Sequence, residues 1–404
     1  MRVLLANKFF YPKGGAEQVF FAQDRLLREL GHETIHLSVR DPDNEPSPWS
    51  EYFVSPVSYE GGVSRERFRA ATRLFHSSEV ARAVRRLVER SRPDLAVLHN
   101  VYHQLGPALA AELSRAGVPT ILFLHDYKIV CPAYRLLRDG TPCEQCAAGN
   151  FWQAARHGCG GSPGRGVALA MEAYWQRLTG GYDRVDRFCA PSGFLVGKVA
   201  EMGFPRTVEL LPNFVSPAAS PADPADGRSI GYAGRLSHEK GVDVFLRAAA
   251  DLPGIPFRIA GTGPAAESLA QQAARDGAGN VTFLGRLTRE DLFQEYRGWR
   301  AAVVPSVWYE NCPLSVLEPL SLGIPVIGSD LGGIPELLEE GGVTVPPGEA
   351  ASLATAIADL WEQPGEAREL GVRGRGFVER KHSARAFTVA FAALVDSLGV
   401  EGQS

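Results

Sequence analysis

The sequence predicts an α/β protein with two open sheets of parallel strands. Short apolar runs that fit strands alternate with stretches that fit amphipathic helices along most of the 404 residues. This alternation is typical of parallel sheets built from βαβ units. The chain is too long for one hydrophobic core, and the alternation restarts after a segment at 214–227 that is rich in Pro, Ala, Ser and Asp. The two observations together predict two Rossmann-like domains joined by a linker.

The elements follow in order. In the first half we predict strands at 2–6, 34–39, 95–98, 120–124 and 207–211, and helices at 16–30, 107–116 and 192–202. In the second half we predict strands at 229–233, 257–260, 281–284 and 301–305, and helices at 242–250, 264–276 and 289–298. The domains predicted are 1–213, with a Cys-rich insert at 131–159, and 228–375. Further helical sequence at 376–404 has no strand after it, and we expect it to pack back on the first domain.

Composition narrows the class of protein. Hydrophobic residues make up 45% and charged residues 22%, which is the balance of an ordinary globular protein rather than a disordered one. The formal net charge of −4 gives no reason to expect a nucleic-acid partner. The longest apolar stretch, 386–395, is about half the length that crosses a bilayer. The first residues lead into a strand pattern without a signal peptide, so we expect a cytoplasmic protein.

One segment carries concentrated positive charge. Residues 63–92 hold nine Arg and three Glu, interleaved with apolar residues. Such a basic amphipathic segment fits peripheral contact with an anionic membrane at its inner face, or with an anionic acceptor. It fits equally well a solvated helix face whose Arg stems cover apolar neighbours.

Ligands of open α/β sheets bind beyond the carboxyl ends of the strands, so the loops that follow the strands matter most. After the first strand, Gly14 and Gly15 precede a helix, and glycines there let backbone N–H groups approach a ligand closely. The sequence is neither a dinucleotide fingerprint nor a Walker A motif. A plain strand-to-helix turn remains the alternative.

The corresponding loop of the second domain carries two cations. Arg235 follows the strand, and Lys240 lies at the start of the next helix. Two fixed positive charges at the edge of a cleft can neutralise a diphosphate leaving group. Surface Arg and Lys are common, however, so the pair alone indicates little.

Two carboxylates follow the fourth strand of the second domain. Glu310 lies in a loop, and Glu318 lies inside a helix that begins at Pro313 or Leu314 and ends before Gly323. Pro near the start and Gly just past the end are typical of a helix. The unpaired N–H groups at its start offer an anion site, and Glu318 can accept hydrogen bonds from a ribose diol. The alternative is a solvated loop residue and an ordinary helix-face charge.

Four of the six cysteines are clustered, at Cys131, Cys143, Cys146 and Cys159. Their spacing in a loop-rich stretch fits a structural zinc site with thiolate ligands. A cytosolic protein rarely keeps four structural disulfide partners oxidised. Free thiols, or a redox pair at Cys143 and Cys146, remain the alternatives.

The second half resembles a known family. GRLSHEKGVD at 234–243, GTGP at 261–264, TFLGR at 282–286 and YENCPLSVLEPLSLGIPVIGSDLGGIPELL at 309–338 resemble family 4 of the glycosyltransferases. That family is retaining and has the GT-B fold. Its hallmark is two Glu residues separated by seven others, here Glu310 and Glu318, and the resemblance extends over essentially the whole chain.

The resemblance implies a role for each matching residue. Arg235 and Lys240 would hold the diphosphate of a UDP-sugar or GDP-sugar donor, and Glu318 the ribose. Glu310 would bind the hydroxyls of the donor sugar. The backbone amides of the segment Asn311, Cys312, Pro313 and Leu314 would also hold the phosphate and sugar, while Phe283 and Leu284 would border the base.

In the first domain, the resemblance places His125 beside the donor sugar at the transfer site. His99 and His103 end the preceding strand, where they can shape the acceptor site or simply pack. The reaction implied is transfer with retention to a saccharide or lipid-linked acceptor, in the synthesis of a surface polysaccharide or glycoconjugate, without an obligatory catalytic metal. A GT-B epimerase, a phosphorylase and a non-catalytic binding module are the alternatives.

Overall fold

A computed structural model describes residues 1–57, 77–102, 104–216 and 220–400. Much of the basic segment 63–92, and also His103, therefore lie outside the described residues. Within the described ranges the chain forms two six-stranded parallel sheets and one two-stranded hairpin. The alternating pattern of the sequence thus becomes two α/β units, and the α/β prediction is confirmed.

The first sheet has the strand order β2-β1-β3-β4-β7-β8. Its strands are β1 (Arg2–Asn7), β2 (Glu33–Leu37), β3 (Leu95–His99), β4 (Thr120–Phe123), β7 (Arg187–Ala190) and β8 (Val208–Leu210). Its principal helices are α1 (Gly15–Glu29), α2 (Ser78–Ser91), α3 (Gly106–Arg115) and α6 (Gly193–Glu201). Between β4 and β7 lie the hairpin β5 (Leu137–Arg138) and β6 (Thr141–Pro142), α4 (Trp152–Arg156) and α5 (Pro163–Leu178).

The second sheet has the strand order β11-β10-β9-β12-β13-β14. Its strands are β9 (Ser229–Ala233), β10 (Phe257–Ala260), β11 (Val281–Gly285), β12 (Trp299–Val304), β13 (Val326–Ser329) and β14 (Gly342–Val345). Its helices are α7 (Val242–Ala250), α8 (Ala266–Arg275), α9 (Arg289–Tyr296), α10 (Leu314–Leu322), α11 (Ile334–Leu338) and α12 (Ala350–Glu362). The strands of the first sheet lie between residues 2 and 210, and those of the second between residues 229 and 345.

The predicted elements lie within a few residues of the observed ones. Strand β9, helix α7 and strand β10 have the predicted bounds, and α10 begins at Leu314 and ends before Gly323, whose φ of 84° suits glycine. Strands β13 and β14 extend the second sheet beyond the predicted strands. Each of these two strands is a run of four residues.

The closing helical sequence forms two helices, α13 (Pro364–Lys381) and α14 (Ala384–Asp396). They are separated at His382, whose ring Nδ1 lies 2.8 Å from the carbonyl oxygen of Asn213. Helix α14 buries its apolar side in the same core as Val3 and Leu5 of β1, through Phe387, Phe391, Leu394 and Val395. The end of the described chain is therefore packed on the first sheet.

Candidate functional site

The carboxyl edge of the second sheet brings Lys240 and Glu310 together. Lys240 lies in the short helical turn between β9 and α7, and Glu310 lies in the loop between β12 and α10. Their side chains form an ion pair with 2.6 Å between Nζ and Oε1. The hydroxyl of Ser306 also donates to Glu310 Oε1, at 2.8 Å. Two loops that are seventy residues apart in sequence thus meet in one charged contact.

The charge of Glu310 depends on this contact. The residue is only 6% exposed, and burial alone would raise its pKa. The charge of Lys240 and the hydrogen bonds it and Ser306 donate outweigh burial, so the pKa lies below the ordinary value. Glu310 is therefore a carboxylate at neutral pH, and it can only accept hydrogen bonds.

Arg235 lies on the same loop as Lys240, but its side chain is exposed. Its backbone oxygen accepts a hydrogen bond from the hydroxyl of Tyr232, at 2.9 Å. Within the described ranges no carboxylate pairs with the Arg235 guanidinium. Its charge is therefore available to an anion that enters from solvent.

Glu318 is buried on α10, facing α9 rather than the Lys240 pair. The hydroxyl of Tyr296 donates to Glu318 Oε2 at 3.3 Å. Burial raises the pKa of Glu318, and the charge of Arg289 and the bond from Tyr296 only partly oppose that rise. The structure thus joins Lys240 to Glu310 directly, and no contact among the described residues links Glu318 to them.

A glycine pair holds the loop that carries Glu310. The backbone N–H of Gly333 donates to the carbonyl oxygen of Glu310 at 2.7 Å. A Cβ on Gly333 would lie 1.9 Å from the carbonyl oxygen of Asn311, and one on Gly332 would lie 2.6 Å from that of Glu310. Only glycine permits this approach. The sequence prediction assigned no role to this pair, although two adjacent glycines at the start of α11 were a visible signal.

The glycines of the GTGP motif at 261–264 also allow two loops to approach each other closely. Gly261 has a φ of 141°, and a Cβ there would lie 1.8 Å from the carbonyl oxygen of Gly234. A Cβ on Gly263 would lie 2.2 Å from the carbonyl oxygen of Leu236. The motif packs its backbone directly against the loop of Arg235 and so fixes the shape of that loop.

The other residues predicted to contact the donor surround this edge. Phe283 and Leu284 lie in β11, and Phe283 is partly exposed. Pro313 caps α10 and Leu314 begins it, while the Cys312 side chain is buried in the core. Burial raises the pKa of Cys312 to about 12, so that thiol is neutral and serves packing.

Gly14 and Gly15 begin α1 at the carboxyl edge of the first sheet. Gly14 is the N-cap, and a Cβ on Gly15 would meet no atom within 4 Å. The buried Glu17 follows on the same helix, where burial raises its pKa. The helix start is thus open, but the structure shows no close approach that requires either glycine.

Two histidine rings end adjacent strands of the first sheet. His99 closes β3 and His125 follows β4, and 2.7 Å separate His99 Nδ1 from His125 Nε2. The ring of His99 is fully buried and stacks on Phe123. Burial keeps the pKa of His99 well below its ordinary value and lowers that of His125 to about 3. Both rings are therefore neutral at neutral pH.

In a hydrogen bond between two neutral imidazole rings, one ring donates its N–H and the other accepts. The surroundings of His99 and His125 favour one of these two assignments. Nε2 of His99 is buried and has no partner among the described residues. A buried N–H without a partner costs more than a bare nitrogen lone pair, so His99 Nδ1–H should donate to His125 Nε2. The proton of His125 is then on Nδ1, so this ring keeps an N–H that can donate to a further group.

Polar contacts connect the two sides of the cleft. The side-chain amide of Asn311 donates to the carbonyl oxygen of His125, at 2.7 Å. The hydroxyl of Tyr127 donates to the carbonyl oxygen of Tyr309, at 3.1 Å, and the hydroxyl of Tyr309 donates to Glu144, at 2.7 Å. The loop that carries Glu310 is thus held against the first domain on both sides. This contact uses the side-chain amide of Asn311, whereas the predicted donor contact concerns its backbone amide.

The Cys-rich insert supplies Glu144 to that contact, between Cys143 and Cys146. The thiols of Cys131, Cys143 and Cys159 lie near enough to Cys146 to help burial raise its pKa, to about 12. Sγ of Cys131 accepts hydrogen bonds from the backbone N–H groups of Ala133, Arg135 and Leu136. All four are free cysteines, and within 1–57, 77–102, 104–216 and 220–400 no three His, Cys, Asp or Glu side chains are grouped as metal ligands.

The described end of the basic segment is helix α2, which buries its apolar side in the core of the first domain. Val80, Val84 and Leu87 are fully buried, whereas Arg82, Arg85, Arg86 and Arg90 are exposed. In α2 the Arg side chains thus form a solvated face, and the apolar side is not exposed to a membrane. Across the described residues, no helix has both the length and the apolar content that crossing a bilayer requires.

Two family models match the chain. "Glycosyl transferase 4-like domain" matches residues 14–213, and "Glycosyl transferases group 1" matches residues 227–363. Among curated proteins, the α-D-kanosaminyltransferase of Streptomyces kanamyceticus is 29% identical over 176 residues, which are 42% of this chain and 45% of that one. The D-inositol 3-phosphate glycosyltransferase of Mycolicibacterium smegmatis is 34% identical over 149 residues, 35% of this chain and 34% of that one. The matches span less than half the length of these relatives.

Solved structures share the fold over nearly the full length. Sucrose-phosphate synthase from Thermosynechococcus elongatus superposes with a TM-score of 0.72 and 19% identity, and 98% of each chain is covered. HepE of Anabaena, in complex with UDP and glucose, gives a TM-score of 0.70 and 18% identity, with 98% of this chain and 100% of that one covered. At this identity the likeness concerns the fold alone. With its two facing sheets and both family models matched, the chain belongs to the family 4, group 1 glycosyl transferases and has their GT-B fold.

Proposed function

We propose that the protein is a retaining glycosyltransferase that moves a hexose from a nucleoside diphosphate sugar to a saccharide or lipid-linked acceptor. The observation that carries the proposal is the contact between Lys240 and Glu310 at the carboxyl edge of the second sheet. In the proposal, Lys240 is the cation for a diphosphate, and the adjacent Glu310 carboxylate accepts hydrogen bonds from sugar hydroxyls. The exposed Arg235 on the same loop adds a second cation.

The proposed chemistry uses fixed charge. As the bond between the anomeric carbon and the diphosphate breaks, negative charge grows on the leaving oxygen, and Arg235 and Lys240 stabilise it. Glu310 holds the sugar through its hydroxyls, and the Nδ1–H of His125 donates a further hydrogen bond from the opposite side of the cleft. The acceptor oxygen forms its bond to the anomeric carbon on the face that the phosphate leaves, which retains the configuration, and its proton passes to the leaving phosphate, so no protein base is required. Glu318 would bind the ribose from inside α10.

A uridine nucleotide is the first donor to test, because the similar fold of HepE was solved with UDP and glucose. GDP-sugars remain in the proposal. We propose that the acceptor is a saccharide and, more specifically, a lipid-linked saccharide used in surface polysaccharide synthesis. We also propose that the protein acts in the cytoplasm, with peripheral contact at the membrane.

Product analysis separates the candidate reactions. The purified protein would be incubated with UDP-, GDP- and ADP-hexoses without acceptor, and free nucleotide would be measured. A transferase releases nucleoside diphosphate slowly and releases it faster when a suitable acceptor is added. An epimerase converts the sugar and keeps the nucleotide attached, and a phosphorylase needs phosphate. A binding module shows none of these, and that result would end the proposal.

We also propose, from the cysteine spacing, that Cys131, Cys143, Cys146 and Cys159 bind a structural zinc ion. The mutual proximity of the thiols supports it, because Cys131, Cys143 and Cys159 all lie near enough to Cys146 to affect its pKa. The ion would require the four thiols to close around it, and it would order the insert that holds Glu144. Metal analysis of the purified protein tests the proposal, and less than stoichiometric zinc would contradict it.

A further inference from the structure

Helix α5 exposes its large apolar side chains and buries small and polar ones. The exposed residues are Val167, Met171, Trp175 and Leu178, at 39%, 57%, 43% and 83% exposure, and Trp152 of α4 adds 59%. We call these five residues the apolar stripe. Helices of globular proteins normally bury such a face. An exposed apolar patch of this kind marks an interaction surface.

The opposite face of α5 explains why the helix is oriented this way. Glu172, which is buried, forms an ion pair with Lys128, with 2.8 Å between Oε2 and Nζ. A Cβ on Gly166 would lie 2.3 Å from the carbonyl oxygen of Ala154, so only glycine allows α5 to pack this closely on α4. Rotating the helix to bury the apolar stripe would break that ion pair and lose this contact. The apolar exposure is therefore built into the packing.

The spacing makes the apolar stripe continuous. Residues 167, 171, 175 and 178 follow one another at four, four and three positions, which places them on one side of a helix. Trp152 is close to this surface because its backbone N–H donates to the hydroxyl of Tyr174, at 3.2 Å. Two tryptophans thus lie in one exposed apolar surface, and this side chain is enriched at membrane interfaces.

Charge decides which partner fits. Residues 147–182 contain a single carboxylate, Glu172, and it is buried against Lys128. Arg156, Arg165 and Arg177 are exposed on α4 and α5, and the exposed Asp183 follows just after the end of α5. Among these described residues, three cations and one carboxylate flank the apolar side chains, a balance that fits an anionic lipid surface. A protein partner would more often meet a mixture of charges.

We propose that the apolar stripe of α4 and α5 lies in the interface of an anionic lipid bilayer. The membrane surface would then be on the first domain, and Lys128 would connect it to the chain just after His125. If the proposed function holds, an acceptor with a lipid anchor would reach the cleft from this side. The binding itself depends on neither donor nor reaction.

The experiment is sedimentation of the full chain with vesicles. We expect binding to vesicles that contain phosphatidylglycerol, little binding to pure phosphatidylcholine, and weaker binding as salt rises. Met171→Glu with Leu178→Glu should weaken binding at least tenfold. The matched control is Val372→Glu with Val389→Glu, at residues that are 68% and 66% exposed on α13 and α14, and it should bind like the unmodified protein. All four sites are exposed, so cooperative thermal unfolding should be retained.

Two further measurements complete the test. Replacing Arg156 and Arg165 by Gln should reduce the preference for phosphatidylglycerol and the salt dependence together. Nucleotide-sugar hydrolysis in solution should be the same for the Met171 and Leu178 variant as for the unmodified protein, which separates this proposal from that of the reaction. Equal vesicle binding by the stripe and control variants would overturn the proposal. The proposal would also be overturned if the protein did not bind vesicles but self-associated through the apolar stripe. Light scattering would show this as a larger particle mass for the unmodified protein and the control variant than for the stripe variant.

Discussion

The two sides of the cleft carry their polar groups in different charge states. At the edge of the second sheet, Lys240 and Glu310 are both ionised, and each depends on the other. At the edge of the first sheet, His99 and His125 are neutral because burial keeps their pKa values low. In the proposed reaction, the diphosphate would contact the charged edge of the second sheet. A neutral sugar hydroxyl would meet the edge of the first sheet, where a ring N–H can donate without adding charge.

Removing the cation should have the largest effect. Lys240→Ala takes away a fixed charge at the leaving phosphate and should lower turnover by about 10²- to 10³-fold. It also leaves Glu310 buried without its ion pair, which should cost about 1.5–3 kcal/mol of unfolding free energy. The measurements are steady-state kinetics and urea unfolding.

The double variant Lys240→Ala with Glu310→Gln serves as the control for stability. It should regain part of the unfolding free energy, because no carboxylate is left without a partner, and should stay inactive. Arg247→Ala removes a nearby exposed cation paired with Asp243 and should change neither quantity noticeably. Turnover by Lys240→Ala close to normal would show that the charged edge is not the phosphate site.

As the pH falls, the side of the cleft with the neutral His125 should lose stability before the side with Lys240 and Glu310 does. The unfolded chain protonates His125 near pH 6.5, whereas the folded state resists until its pKa of about 3. Between these values the unfolded state binds more protons, so stability falls as pH falls, by up to about 1.4 kcal/mol per pH unit. The pKa of Glu310 is lowered instead, so its contribution is lost only below about pH 4.5, the ordinary value for that carboxyl.

The comparison with His125→Gln isolates this effect. Asp126, whose pKa burial raises to about 6, works in the opposite sense and is present in both proteins. Urea unfolding between pH 7 and pH 4 should therefore show the unmodified protein losing stability more steeply than the variant. Parallel curves would mean that His125 is protonated in the folded state, and the neutral description of that edge would be wrong.

A smaller effect should follow from changing the proton position on His125. His99→Phe keeps an aromatic ring beside Phe20 and Phe123 but removes the donor to His125 Nε2. We expect turnover to fall on the order of fivefold, the cost of one hydrogen bond between neutral groups. Nitrogen-15 spectra of labelled histidines should show His125 protonated on Nδ1 in the unmodified protein and shifted toward Nε2–H in the variant.

His99→Asn keeps an N–H donor near the position of Nδ1 and is the matched control. It should preserve the Nδ1–H form of His125 better than the Phe variant does. The signal of His125 can be assigned from its absence in His125→Gln. A His125 that carries its proton on Nε2 in the unmodified protein would reverse the donor and acceptor roles of the pair.

The smallest effect should come from the contact between the two sides. Asn311→Ala removes the amide that donates to the His125 carbonyl oxygen and should cost about 0.5–1 kcal/mol, seen as a modest rise in donor KM. Asn311→Asp should be worse than Ala, because a carboxylate cannot donate and would repel that oxygen. If Asp were tolerated as well as Asn, the contact would have no part in holding the Glu310 loop.

Much of the second sheet was predictable because each element has local signals. The Pro313 start and Gly323 end of α10 are readable in sequence, and the periodicity of β9, α7 and β10 is plain. The His99–His125 bond was not predictable, since it depends on the pairing of β3 with β4 and on ring rotations. The same holds for the side-chain amide of Asn311, which reaches the carbonyl oxygen of His125 in the other domain.

The membrane expectation shows a further limit of sequence patterns. Residues 78–91 have the stronger basic amphipathic pattern, yet their apolar side is buried in the core. No helix was predicted for the sequence of α5, whose buried face consists of Gly166, Ala170, Glu172 and Gln176. Which face of a helix is exposed depends on tertiary partners such as Lys128, and sequence periodicity alone does not contain that information.

Calorimetric titration of nucleoside diphosphates tests the central claim most directly. UDP, GDP and ADP would be titrated into the unmodified protein, Arg235→Ala, Lys240→Ala and the control Arg247→Ala. We predict that one nucleotide binds the unmodified protein and the control alike, and that each cleft variant weakens its binding at least tenfold, with weaker binding at high salt. Equal affinity for all four proteins would contradict the assignment of the diphosphate to the charged edge of the second sheet.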